Sequence, residues 1–197
     1  MTTDLFLTEE ELMLQKTVRD FAARELAPRA REVDEREEFA WENFRGMAAL
    51  GLTGLAIDQK YGGSGGGYRQ LSIAIEEVAR GCAATSVILI AHLSLGTQTM
   101  YRFSNEEQKL RLIPPLARGE KIAAFALTEP GAGSDAAALQ TTATRSNGRY
   151  LLNGTKLFIT NGDIADSIAV FATQDRSKRT RGIGTFIVEK GMPGFQA

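Results

Sequence analysis

The pattern of apolar and polar positions changes character once along the chain. Up to about residue 121 apolar side chains recur at helical spacing, and beyond it they come in short runs of strand length. Thr8 followed by Glu11 is a capping-box pattern, in which a hydroxyl and an acid three residues apart satisfy each other's backbone amides. Leu14, Val18 and Phe21 carry the stripe onward until Pro28 weakens the helix. Residues 41–50 predict a second, short helix closed by Gly51. Leu71, Ile75 and Val78 mark a third, ended by Gly81. Residues 83–101 are apolar on nearly every face, which predicts a helix buried in the middle of a bundle. Ser104 with Glu107 predicts another capping box, and Pro114-Pro115 predicts a break or bend in the helix that follows.

Strand signals take over after Ile122. Residues 124–127, 141–145, 167–173 and 184–188 are short β-rich runs. Residues 149–153 and 155–160 flank Asn153-Gly154, a two-residue hairpin signal, and Asn161-Gly162 ends the second of them. The expected organisation is a helical domain over residues 1–121 and a β-domain over residues 122–197, with no internal repeat. The stretch YGGSGGGY, from Tyr61 to Tyr68, has the composition of a flexible linker, but its two tyrosines predict an ordered turn.

Composition narrows the function classes. The chain has 197 residues and a net charge of −1, from 23 Lys+Arg against 24 Asp+Glu, so nothing favours a nucleic-acid or acidic-membrane partner. The acidic opening MTTDLFLTEEE has neither a basic n-region nor an apolar h-region. Residues 86–95, the longest apolar run, are interrupted by His92 and too few to span a bilayer. A lone Cys82 excludes an internal disulfide and a zinc knuckle, and no metal site is expected. A reducing, cytoplasmic location is the economical reading.

The densest chemistry lies in FALTEPGAGSD, residues 125–135. Gly131, Gly133 and Ala136 imitate a dinucleotide fingerprint, but that motif needs glycines directly after a strand, a helix behind them and an acid some twenty residues on. Here Thr128-Glu129-Pro130 precedes the glycines, and the position twenty residues after Gly131 is Leu151. The nicotinamide reading fails on context. Taken alone, the loop reads as an ordinary Gly-Pro turn.

Taken with YLLNGTKLFITNG further on, the loop resembles the acyl-CoA dehydrogenases, FAD enzymes of fatty-acid and amino-acid catabolism, and their short-chain and branched-chain members most. The likeness runs through LTEEE, KYGGSGGGY, RGCAATSVILIAHLSLG and SNEEQKLRLIPPLARGE. It implies an α+β fold: an N-terminal all-α helical bundle, then a β-barrel-like middle domain that stops part-way, without the family's C-terminal four-helix domain. Phe125, Ala126, Leu127, Thr128, Glu129, Pro130, Gly131, Ala132, Gly133 and Ser134 would form the loop that wraps the flavin. Thr128 would hydrogen-bond the pyrimidine side of the ring, and Ser134 would touch both flavin and thioester substrate. Phe158, Ile159 and Thr160 would run beside the ring, with the Thr160 hydroxyl near the hydride-accepting nitrogen. Many members carry tryptophan where this chain has Phe158, which keeps a stacking surface but loses an indole donor.

The resemblance further implies an acyl-CoA substrate, an electron-transfer flavoprotein as electron acceptor, and a homo-oligomer, tetramer or dimer. The family's catalytic glutamate lies in the C-terminal domain, so no catalytic residue is assigned within residues 1–197 and the isolated chain is expected to be inactive. Two alternatives stay open: a catalytically silent flavin- or CoA-binding remnant acting through a partner chain, and an acyl-CoA oxidase-like flavoenzyme. Other suggestive residues have plainer readings. His92 is expected to be packed or to border an acyl pocket, Cys82 to be a small buried hydrophobe, and Glu76 and Glu77 to form a solvated face. Glu129 is the tempting base, but Pro130 fixes it in the loop, where a structural role is expected. RSKRTR, residues 176–181, reads as a solvated hairpin tip.

Overall fold

The computed structural model describes residues 6–197, which divide into two compact units, residues 6–121 and residues 122–197. The first unit is helical: α1 (Glu9–Phe21), α2 (Ala30–Arg36), α3 (Trp41–Ala49), α4 (Tyr68–Gly81), α5 (Ala83–Leu89), α6 (Gln98–Phe103) and α7 (Glu106–Ala117). The capping box of α1 forms as the spacing requires. Thr8 Oγ1 accepts from the Glu11 amide at 3.2 Å, and Glu11 accepts from the Thr8 amide at 2.9 Å. The α1 helix passes into a π-helical turn, Ala22–Leu26, before Pro28 is reached.

Four expectations change here. The capping box before α7 uses Asn105 and Gln108, one residue later than Ser104 and Glu107, because Ser104 still closes α6. The α7 helix continues through Pro114-Pro115 to Ala117, so the prolines do not break it. They sit in its last turn, where each gives up one i→i−4 amide bond but few residues follow to be disturbed. Residues 83–103 are helical throughout, with a π-helical stretch at Ile90–Thr97 between α5 and α6. That stretch buries Ala91, His92 and Leu93, but Val87 and Leu95 are exposed, so the helix is not covered all round. Glu77, expected in solvent, is buried. It receives Arg19 Nη2 at 2.8 Å and Nε at 3.0 Å, joining α1 to α4.

The glycine-rich loop is an ordered turn. Amides of Gly63, Ser64, Gly65 and Gly66 donate to carbonyls of Asp58, Gly54, Ile57 and Leu55. A Cβ at Gly63 would lie 2.1 Å from the Ile57 carbonyl oxygen, so the backbones cross at a distance only glycine allows. Gly63→Ala should therefore cost the helical unit about 1–3 kcal/mol through backbone displacement. Urea unfolding followed by the fluorescence of Trp41, the single tryptophan, measures it. Unchanged stability would show that the crossing yields freely.

The second unit holds one five-stranded sheet: β1 (Ala123–Ala126), β2 (Thr142–Ser146), β3 (Arg149–Asn153), β4 (Ser167–Thr173) and β5 (Ile183–Glu189). The central β4 is paired parallel to β1, touches β2 parallel at Thr142–Thr173, and is paired antiparallel to β5 over seven residues. Its burial on both faces explains its unbroken run of apolar and small residues. Ala124, Ala126, Ala165, Ile168 and Val170 form a core, closed by Leu152, Ile159, Val188 and Phe195.

The expected hairpin is relocated. β2 and β3 pair around Asn147-Gly148, whose φ values of 50° and 76° suit a tight turn with left-handed backbone at both central positions. Asn153-Gly154 instead ends β3, and residues 155–160 form no strand. Gly154 is required for another reason: a Cβ there would meet Thr141 Oγ1 at 2.3 Å. Residues 176–181 connect β4 to β5 and are solvent-exposed, as the sequence reading has it.

Candidate functional site

In the β-sheet unit the two motifs, fifteen residues apart in sequence at their nearest ends, are bonded to one another. Strand β1 delivers Phe125 and Ala126 to opposite faces of the sheet: the half-buried Phe125 ring packs 4.8 Å from that of Phe171, and Ala126 belongs to the core. The chain then leaves the sheet at Leu127 and Thr128 and reverses through Pro130-Gly131. Glu129 and Ala132 close this reversal with reciprocal amide-to-carbonyl bonds of 3.0 and 3.1 Å. Ala132 and Glu129 are buried; Pro130, Gly131, Gly133 and Ser134 are exposed and Thr128 is half-buried.

Glu129 fixes this turn from beneath. Its carboxylate accepts the amides of Gln140 at 2.5 Å and Thr141 at 3.0 Å, and pairs with Lys156 Nζ at 2.8 Å. Burial pushes the carboxyl up, but Lys156 and the two amides outweigh it and hold the group down at about 2. A carboxylate held so low, with its oxygens already engaged, is a poor proton acceptor at neutral pH. The structural role expected for Glu129 is what its surroundings give it.

Lys156 also donates to the Leu127 carbonyl at 2.9 Å, and the Leu157 amide donates to the Thr128 carbonyl at 2.9 Å. These bonds set FALTEPGAGS against KLFIT. Lys156 escaped the sequence reading. The available signal was an isolated lysine two residues before Phe158, with an acid in the other motif to match it.

Beyond Leu157 the side chains separate. Phe158 is 87% exposed with φ +56°, a left-handed conformation that is rare for a bulky residue and marks strain. Ile159 packs against the core, and Thr160 is exposed. Among the described residues, the hydroxyls of Thr128, Ser134 and Thr160 have no hydrogen-bond partner. A Cβ at Gly131 or Gly133 would meet nothing within 4 Å, and neither glycine has positive φ. The fold of the unit therefore does not require glycine at either place. A cavity of about 270 Å³ lies against this turn, between Pro130-Gly131 and Gly154-Thr155.

The remaining candidates sit apart from this chemistry. His92, in the helical unit, is fully buried, with Nε2 3.1 Å from the Leu116 carbonyl oxygen and its ring edge-on to Phe44. Burial brings it down to about 4, with the backbone bonds to Leu116 and Thr53 opposing. It is a packed neutral imidazole. Cys82 is a buried free thiol. Among the described residues no cluster of potential metal ligands occurs, and no helix is long and apolar enough to cross a membrane.

The family model "Acyl-CoA dehydrogenase, N-terminal domain" matches residues 8–120, and "Acyl-CoA dehydrogenase, middle domain" matches residues 124–197. A short-chain specific acyl-CoA dehydrogenase of Clostridium acetobutylicum is 46% identical over 98% of this chain and 51% of its own length. An NADH-dependent acryloyl-CoA reductase of Anaerotignum propionicum is 45% identical over 98% of this chain and 49% of its own. The solved butyryl-CoA dehydrogenase of Megasphaera elsdenii superposes with a TM-score of 0.92 at 41% identity, covering 98% of this chain and 52% of that one. The chain spans about half the length of the curated relatives it matches.

Proposed function

Because the chain belongs to the acyl-CoA dehydrogenase family, we propose that it carries the flavin-facing surface of an FAD-dependent enzyme that oxidises the α,β-bond of an acyl-CoA thioester. The support is the joined pair of motifs, which carries three hydroxyls without a protein partner among the described residues, those of exposed Ser134 and Thr160 and half-buried Thr128, and two unobstructed glycines. In this reading Thr128 and Thr160 donate to ring acceptors, where preorganised donors stabilise developing negative charge. Gly131 and Gly133 admit the cofactor close to the backbone, Ser134 contacts both cofactor and thioester, and Phe158 offers a stacking face. The flavin, when bound, supplies the two-electron redox step.

Proton abstraction from the α-carbon falls to a carboxylate outside these 197 residues, since Glu129 is committed to Lys156 and two amides. We assign no acid here as the base. An electron-transfer flavoprotein is the acceptor this reading favours, within a homo-oligomeric, cytoplasmic enzyme. Transfer of the electrons to oxygen, or a silent flavin-binding role beside a partner chain, are the competing outcomes.

The test is titration of the 197-residue chain with FAD, followed by visible absorption and flavin fluorescence. Wild type should bind. Gly131→Ala should bind about ten-fold or more weakly because its methyl occupies the approach surface, while stability stays within about 0.5 kcal/mol. Absence of binding by wild type, or equal affinity in the variant, defeats the assignment of this surface. Added butyryl-CoA should not bleach the bound flavin. Bleaching abolished by Glu129→Gln would make Glu129 the base.

A further inference from the structure

We propose that Lys156 is a positioning residue, the joint that makes the two flavin-facing motifs one rigid body. The inference rests on the flavin reading above for its functional meaning, but its physical content lies in the chain itself. Lys156 Nζ holds the carbonyl of Leu127 and the carboxylate of Glu129, the residues on either side of Thr128. The next residue's amide, Leu157, holds the carbonyl of Thr128 itself. Three consecutive residues of one motif are thus bonded to two consecutive residues of the other.

This pair is not a solvated surface bridge. The Lys156 and Glu129 side chains are only 11% and 4% exposed. Water cannot easily replace either partner, and a buried pair loses more when broken than an exposed one. Residues 155–160 have no ladder to hold them, because β3 ends at Asn153 and β4 begins at Ser167. The bonds of Lys156 and Leu157 are what tie the segment to the strand-end loop. Directly beyond them stands Phe158 in its left-handed conformation, with its ring almost fully exposed to solvent. Strain of that kind persists only where neighbouring bonds over-determine the backbone. Lys156 provides that determination: it holds Thr128 in place and keeps Phe158 turned outward.

The measurement pairs two variants with two readouts. Lys156→Met keeps the length of the side chain and removes its donors; Lys156→Arg keeps charge and donors with altered geometry. In the chain without flavin, hydrogen exchange at the Leu157 amide should accelerate about ten-fold or more in Lys156→Met, with partial recovery in Lys156→Arg. FAD should bind Lys156→Met about ten- to a hundred-fold more weakly, the loss expected of a charged hydrogen bond that shapes a site. If Lys156→Met alone fails to fold, Lys156→Met with Glu129→Gln removes both buried charges together, restores folding and still leaves Leu157 rapidly exchanging. Wild-type protection at Leu157 in a folded Met variant overturns the proposal. Failure of wild type to bind FAD would overturn the flavin reading instead, while Leu157 exchange continues to decide whether Lys156 is the joint.

Discussion

Lowering the pH from 6.5 towards 4 should remove about 3 kcal/mol of stability from the helical unit, with most of the loss falling above the range where ordinary carboxylates titrate. The cause is His92. Unfolded, its imidazole takes a proton near 6.5; folded, burial holds that event down to about 4. Between those values the unfolded state binds a proton that the folded state refuses. Its contribution is therefore fully present above pH 6.5 and is lost as the pH falls through 4, at about 1.4 kcal/mol per pH unit. The groups that meet the ring carry no charge: His92 Nε2 faces the Leu116 carbonyl, Phe44 lies edge-on, and the further bond is to backbone at Thr53. Urea titrations read by Trp41 fluorescence at pH 7, 5.5 and 4.5 would trace the loss. His92→Gln, which keeps an amide donor without a titrating group, should flatten it. Equal pH dependence in wild type and variant would mean the acid sensitivity arises elsewhere.

The β-sheet unit should respond to a different change and in a lower window. Glu129→Ala is expected to cost it about 3–5 kcal/mol, the usual penalty for breaking a buried ion pair from one side. Three groups lose an acceptor at once: the Lys156 ammonium, which keeps only the Leu127 carbonyl, and the amides of Gln140 and Thr141. For a unit of this size that is a large share of a total of roughly 5–15 kcal/mol, so partial unfolding at moderate temperature is the expected outcome. The pH sign follows from the depressed carboxyl. Its stabilising contribution is complete above the ordinary value of 4.5 and disappears as the pH falls through about 2. It amounts to about 3 kcal/mol. Hydrogen exchange at the Gln140 and Thr141 amides reports on it directly. A Glu129→Ala chain with wild-type protection at both would show that water replaces the carboxylate at little cost.

The two windows separate because the two groups are buried for opposite reasons. His92 is disfavoured as a cation by an apolar cage, and Glu129 is favoured as an anion by donors aimed at it. Neither environment is written in the neighbouring sequence. His92 lies among apolar residues of its own helix, yet its partners, Thr53 and Leu116, come from elsewhere in the chain. Glu129 meets Lys156 across 27 positions.

Much of the helical unit was legible because its signals are local. The Thr8–Glu11 box, the stripe of α4 and the closing Gly51 each depend on residues within one or two turns. The errors were local signals with more than one solution. Ser104 and Asn105 are both good caps, and only the point where α6 stops picks Asn105. Glu77 looks like a surface acid until Arg19 of another helix covers it. The β-unit offered three Asn-Gly pairs, at 147, 153 and 161, each competent for a tight turn. Strand pairing chose Asn147-Gly148, since β2 and β3 register there, while Gly154 is needed for its close approach to Thr141.

By itself, then, the sequence determined a helical segment followed by strands, two motifs of an acyl-CoA dehydrogenase type and the absence of a nicotinamide fingerprint, because each of these resides in short-range spacing and residue chemistry. Only the tertiary structure decided that the motifs share one surface, that Lys156 joins them, that Phe158 stands exposed and strained while Ile159 turns into the core, and that Glu129 is engaged by its neighbours. Those are contacts between residues distant in sequence. Their free energy comes from burial and from charge placed in a poorly hydrated interior, neither of which exists until the chain has folded.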